Sequence, residues 1–254
     1  MNERERACVL DLYCRCFDDT RAAAEAVVGY AFAHGEVHVL DAEAGADSSA
    51  RKIASMLCYA PLEDSGFKAA YLFAAATDPA YRGRGLFREN LRRSAAGRRL
   101  ICIPENENLW SMYESLGFSQ PVCATERLLY CRGRHAAPEY GGPLEALYPL
   151  YLQSPIFPKK DLPLFVSTLR AFCIYGGRIY SDGACAVLAR GDMVFEVYGP
   201  EPDAALRLAE RTLKGEKRAL LPADVHTEGG RLVRTALATD HGGWKSLYIH
   251  NYFN

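Results

Sequence analysis

Arg82-Gly83-Arg84-Gly85 is the first place in this chain where residue types and spacing suggest chemistry. It follows the apolar run LFAAAT and an Asp-Pro turn, and it opens onto LFRENLRRSAAG. A glycine-rich bend entering a helix leaves several backbone N–H groups without intrahelical partners. Gly83 and Gly85 carry no side chain that would block an approaching ligand. With the positive helix end and the charges of Arg82 and Arg84, the bend forms an anion site suited to a diphosphate. A plain strand-to-helix turn with solvated arginines is the alternative. Other phosphate motifs fit less well. A dinucleotide fingerprint needs a third glycine where Arg88 stands, and a Walker loop needs Gly-Lys followed by Ser or Thr.

Several elements must position that bend. Residues 5–33 are alanine-rich and periodic, which predicts paired helices broken near Asp18-Asp19-Thr20, with Thr20 capping the second. EVHVLDAE, RKIASMLCYA and KAAYLFAAAT read as three strands of an antiparallel meander, the last two separated by PLEDSG. After the bend a helix is expected, with Phe87, Leu91 and Ala95 on one face and Arg84, Arg88 and Arg92 on another. RRLICIP then reads as a short buried strand, ENENLWSMYESLGF as a helix stopped by Gly117, and ATERLLYCRG as a further strand. GRHAAPEYGGP has the composition of a linker. The expected organisation is a first α/β domain over 1–133 and a smaller one over 139–254.

Composition narrows the classes. The chain has 254 residues, 49% apolar and 24% charged, which is ordinary for a globular protein that holds its own core. A net charge of −1 gives no global attraction to nucleic acid or to an anionic membrane, so neither is expected as a partner. No apolar run reaches the ~18 residues of a membrane span. The charged opening MNERER is not a secretory signal. Nine scattered cysteines without a Cys-x-x-Cys fit reduced thiols in the cytoplasm. Cys14-x-Cys16 is a poor metal pair, because i and i+2 face apart on a helix, and no metal site is expected.

ATDPAYRGRGL, a helix, a short strand and NENLWSMYESLGF together resemble the GNAT superfamily of N-acetyltransferases. The family's loop pattern, Arg/Gln-x-x-Gly-x-Gly/Ala, maps onto Arg82, Gly83, Arg84, Gly85, Leu86 and Phe87, with phenylalanine in place of the usual small residue. Its second motif maps onto Asn106, Leu109, Tyr113, Glu114, Gly117 and Phe118. Order and spacing agree over 71–118, and the meander and paired helices extend the likeness across most of 1–132. The resemblance implies a mixed α/β GNAT acyltransferase fold and an acetyl-coenzyme A site. In that site the pyrophosphate rests on the amides of Arg82 to Phe87, and the pantetheine arm lies between LFAAAT and RRLICIP, close to the small residues at 74–76. The expected coenzyme-binding set is Ala75, Ala76, Thr77, Arg82, Gly83, Arg84, Gly85, Leu86, Phe87, Asn106 and Tyr113.

The reaction so implied is direct acetyl transfer to a primary amine of a small molecule or peptide. Tyr113 matches the family's usual acid for the leaving thiolate, and a backbone N–H near Ala76–Thr77 would face the carbonyl oxygen. An aliphatic amine with a pKa near ~10.4 must lose a proton before it attacks. The strand LFAAAT offers no carboxylate, Asp78 reads as a turn cap, and Glu105 could reach inward. MVFEVYGPEPDAALRLAERTLKGEKRALLPAD repeats the strand, proline turn, helix, strand order of 71–106 without the Arg-Gly-Arg-Gly bend. It reads as a second, degenerate GNAT-like unit. Such a tandem resembles the enhanced-intracellular-survival branch and other double-GNAT bacterial proteins. That likeness implies the free carboxylate of Asn254 as a base, with His241 and His250 as weaker substitutes. A coenzyme A-binding sensor without catalysis is the competing reading.

Overall fold

Asn2 and Glu5 begin the first helix with a reciprocal capping box, and Thr20 caps the second through a bond from the Ala23 amide. The computed structural model describes residues 1–42, 52–64, 66–95, 97–134, 137–225 and 229–239. Helices α1 (Glu3–Phe17) and α2 (Arg21–Ala33) are followed by strands β1 (Glu36–Asp41), β2 (Ile53–Asp64) and β3 (Phe67–Thr77). The expected meander is present. However, β2 does not stop before Pro61: Pro61 pairs with Ala70 and the ladder runs on to Asp64, so the predicted PLEDSG turn is much tighter.

The chain continues through α3 (Leu86–Ala95), β4 (Leu100–Cys102), α4 (Glu107–Ser115) and β5 (Gln120–Arg132). The second half contributes α5 (Tyr148–Gln153), α6 (Leu162–Ile174), β6 (Arg178–Ser181), β7 (Ala186–Arg190), β8 (Met193–Tyr198), α7 (Pro202–Thr212), β9 (Lys214–Pro222) and β10 (Arg231–Ala238). All ten strands form one sheet in the order β1-β2-β3-β4-β10-β5-β9-β8-β7-β6. That order reads the same from both ends if β1 to β5 are matched with β6 to β10. Each half contributes its last strand to a place beside the other half's fourth strand. In both halves the third strand runs parallel to the fourth, with one helix between them in sequence.

The core lies on both faces of this sheet. On one face, Val9, Leu12, Val27 and Val28 of α1 and α2 cover β2 and β3, while Phe165, Leu169 and Phe172 of α6 cover the second half. On the other, α3 and α4 pack over β3 and β4, and α7 packs over β5, β7 and β9. Helix α3 packs its apolar face of Phe87, Leu91 and Ala95 on this side of the core, but its most buried positions include polar side chains. Phe87 and Ala95 are only half-buried, while Asn90 and Ser94 are buried with Leu91. The Asn90 amide donates to the His38 carbonyl (3.3 Å) and to Ser55 Oγ (3.4 Å), and Ser94 Oγ lies 2.7 Å from the Tyr59 hydroxyl. The helix is anchored by short polar side chains that reach partners on the sheet.

One charged pair is fully enclosed. Lys160 Nζ lies 3.2 Å from Glu196 Oε1, and the Tyr198 hydroxyl donates to the other carboxylate oxygen at 2.5 Å. Burial pulls the Lys160 ammonium down to about 8, against the opposing attraction of Glu196. Removing one partner of such a pair strands a buried charge. Glu196→Ala is therefore expected to cost about 3–5 kcal/mol, read as a shift of the urea midpoint, whereas Glu196→Met with Lys160→Met should cost much less.

Candidate active site

Two local features open the sheet between β3 and β4. Pro104 has no N–H to donate, and β4 ends at Cys102, so the parallel ladder stops at the pair Leu72–Cys102. Just beyond, Ala74 takes φ +47°, a left-handed conformation that is costly for alanine, of order 1–2 kcal/mol. Phe73 pairs with Cys58 and Ala76 with Met56, so two residues of β3 oppose one of β2. This bulge bends β3 away from β4. The slot that results is floored by the small side chains of Ala75 and Ala76.

The expected bend closes the top of the slot. Asp78 accepts from the Ala80 amide and caps a short 3-10 turn over Pro79–Tyr81. Its second oxygen takes an ion pair from Arg15 of α1 at 2.9 Å. Burial raises the carboxyl, but the Ala80 amide, Arg15 and Lys52 outweigh it and hold the group below its ordinary value. Asp78 is thus committed to holding the turn. Gly83 and Gly85 have φ +76° and +75°, and a Cβ at either would meet nothing within 4 Å. They are needed for their backbone conformation, and the space in front of them is open. Gly85 accepts the first helical bond of α3 from Glu89, which leaves the amides that follow it facing the opening.

Between slot and bend lies a cleft of about 620 Å³, within the usual range for a ligand site. Ala75, Ala76, Thr77, Arg82, Gly83, Gly85, Leu86, Phe87, Asn106 and Tyr113, all expected from the sequence, line it together. Arg84 stands outside the lining and lies over the Tyr81 ring at 5.1 Å. Of the arginines expected on that helix face, Arg84 lies before α3, and Arg92, like its neighbour Arg93, pairs with Glu89. Asn106 caps α4 by accepting from the Leu109 amide at 3.1 Å. Asn254, His241 and His250 fall outside the described residues.

Sequence reasoning missed the contribution of α1. Cys16 and Phe17 line the cleft from its far side. Cys16 Sγ donates to the Thr77 carbonyl at 3.5 Å, and Arg82 Nε donates to the same carbonyl at 3.2 Å. Burial pushes the Cys16 thiol up, partly offset by Arg82. No local pattern signals this contact, because the residues lie about 60 positions apart. Among the described residues, Cys14 and Cys16 belong to no group of metal-binding side chains.

Tyr113 sits at the inner end of the cleft. Its ring meets Phe87 edge-on at 5.8 Å and Phe118 at 5.2 Å. The phenylalanine that departs from the usual small residue thus links the start of α3 to Tyr113. Burial, with smaller contributions from Cys102, Tyr71 and Tyr59, holds the phenol well above its ordinary pKa. It is neutral and protonated at any working pH.

The fold as a whole has counterparts among solved structures. A protein of Enterococcus faecalis described as a "Probable N-Acyltransferase" superposes with a TM-score of 0.67 over 94% of this chain and 70% of its own, at 13% identity. The chain has the GNAT fold. A GCN5-related N-acetyltransferase from Anabaena variabilis gives 0.64 over 93% of this chain and 70% of its own, at 12% identity. A tandem GNAT protein from the clavulanic acid biosynthesis pathway gives 0.50, covering 93% of this chain and 95% of its own at 13% identity. No family model matches the sequence. No curated protein matches it either. Within the GNAT fold, the half containing β6 to β9 differs at the bend: only Gly199-Pro200-Glu201 joins β8 to α7, where the first half uses the eight residues 78–85.

Proposed function

We propose that the protein is an acetyl-CoA-dependent N-acetyltransferase that transfers acetyl directly to a primary amine of a small molecule or peptide. The observation that carries this reading is the continuity of one cleft from the open glycine amides, through the alanine-floored slot, to a buried neutral tyrosine. Coenzyme A requires a diphosphate cradle, a narrow channel for an extended arm and a dry end, and these residues fit those requirements. The coenzyme, when bound, supplies an activated thioester and a thiol leaving group.

The chain's own groups divide the remaining work. The amides from Gly85 to Phe87, with Arg82 beside them, bind the diphosphate. Ala75 and Ala76 let the arm approach the backbone of β3. The bulge at Ala74 aims main-chain N–H groups into the slot, where they stabilise charge developing on a carbonyl oxygen. Tyr113 gives its proton to the departing sulfur. Glu105 is the one carboxylate among the described cleft residues, and it takes the ammonium proton through water at the mouth. The second half is a degenerate second unit that walls the acceptor side.

The test is release of free thiol from acetyl-CoA with a panel of amines. kcat/KM is expected to rise about tenfold per pH unit below the amine pKa, because only the neutral amine attacks. Glu105→Gln should lower the rate without changing coenzyme affinity. If coenzyme A binds and no amine in the panel is acetylated, the sensor reading replaces this one.

A further inference from the structure

β5 is paired on both sides only as far as Glu126. There its ladder with β10 begins at Arg231, while β9 continues alongside to Arg132. From Arg127 to Arg132 the other edge of β5 has no strand partner among the described residues. Such an edge offers alternating main-chain donors and acceptors to any extended chain that reaches it. A groove of about 580 Å³ follows this edge and reaches α7. It shares no lining residue with the cleft described above.

The groove is strongly basic. Arg127, Arg132, Arg134, Arg207 and Arg211 line it, against the single carboxylate of Glu210. Arg127 pairs with Asp203 and Arg211 with Asp182. Arg132, Arg134 and Arg207 form no ion pair among the described residues. Leu128 and Tyr130 are 46% and 66% exposed, both unusual for side chains of their size on a strand. Strand alternation places these two on the face away from α7, and Arg127 on the face shared with Arg207 and Arg211.

We infer that this edge is a docking site for an extended acidic peptide segment, added to the sheet as a further strand beside β5. Main-chain bonds to residues 127–132 hold the peptide. Its acidic residues face Arg127, Arg207 and Arg211, and the alternate apolar residues rest on Leu128 and Tyr130. A compact anion would use the guanidinium groups but leave the edge and both apolar side chains without a role. A single-stranded nucleic acid would use the arginines and Tyr130 but could not satisfy a strand edge.

The probe is a labelled ten-residue peptide of alternating glutamate and valine, followed by fluorescence anisotropy against the whole chain. Saturable binding that weakens with salt is expected. Arg207→Glu with Arg211→Glu should weaken it by about tenfold or more, while Arg170→Glu on α6 should not. The same peptide N-methylated at alternate residues along one edge should lose binding, because only strand addition needs those N–H groups. Thermal melts of each variant establish that the fold is retained. Absence of binding by the unmodified peptide overturns the proposal. So does binding of the N-methylated forms, or of a ten-residue oligothymidylate or tripolyphosphate, as tight as that of the peptide.

Discussion

Tyr113→Phe lowers kcat by about 10²–10⁴-fold, the usual contribution of a positioned acid or base, and leaves coenzyme A affinity nearly unchanged. The ring remains because Phe87 and Phe118 hold it edge-on from two sides, and phenylalanine preserves both contacts. What is lost is one hydroxyl. Its pKa is raised chiefly by burial, so it carries its proton throughout the neutral range. A raised pKa would seem to make it a poor acid toward a thiolate. However, the same dry surroundings destabilise the thiolate as it forms, and both groups prefer to share the proton. No loss of rate from ionisation of Tyr113 is therefore expected below about pH 10. Steady-state kinetics with acetyl-CoA and an accepted amine, run beside calorimetry with coenzyme A, separate the outcomes. A variant with full kcat removes Tyr113 from the chemistry, and one that loses coenzyme affinity makes it part of the wall.

Much of this site is legible in the amino-acid sequence. The bend, the helix after it and the Asn106–Phe118 motif are local, and local patterns report local conformation. Ten of the eleven expected coenzyme-binding residues line one cleft. Three features are not legible in the same way. The bulge sits on an alanine, a residue type that gives no warning of positive φ, where glycine or asparagine would have. The α1 wall at Cys16 and Phe17 depends on a tertiary contact fixed by Arg15 and Asp78, whose ion pair no spacing rule anticipates. The placement of β5 and β10 is a pairing choice between halves, and an alternating strand pattern states only that a strand exists. For the same reason the pattern of α3 does not reveal that Asn90 and Ser94 are buried beside its apolar face: they have the character of surface residues, and only the tertiary placement of Ser55, His38 and Tyr59 opposite them makes their burial favourable.

Gly85→Glu abolishes coenzyme A binding, and Gly85→Ala weakens it only in part. The two substitutions share one cost and differ in another. Both place a Cβ on a residue at φ +75°, with strain of about 1–2 kcal/mol, and at that cost a chain of this size should lose a few degrees of Tm. Neither meets a neighbour, since no atom lies within 4 Å of the added carbon. Alanine therefore leaves the amides of Leu86 and Phe87 in place. Glutamate instead puts a carboxylate in front of them, where a ligand phosphate must come, and like charges at such range repel. Arg82 stays beside the bend in either variant, held by its bond to the Thr77 carbonyl. Calorimetry with coenzyme A and with a diphosphate-free thioester such as acetyl-pantetheine distinguishes cradle from slot. The glutamate variant should lose the first and keep the second. If coenzyme A binds equally to wild type and to the glutamate variant, the diphosphate does not rest on these amides and the acetyltransferase reading fails with it.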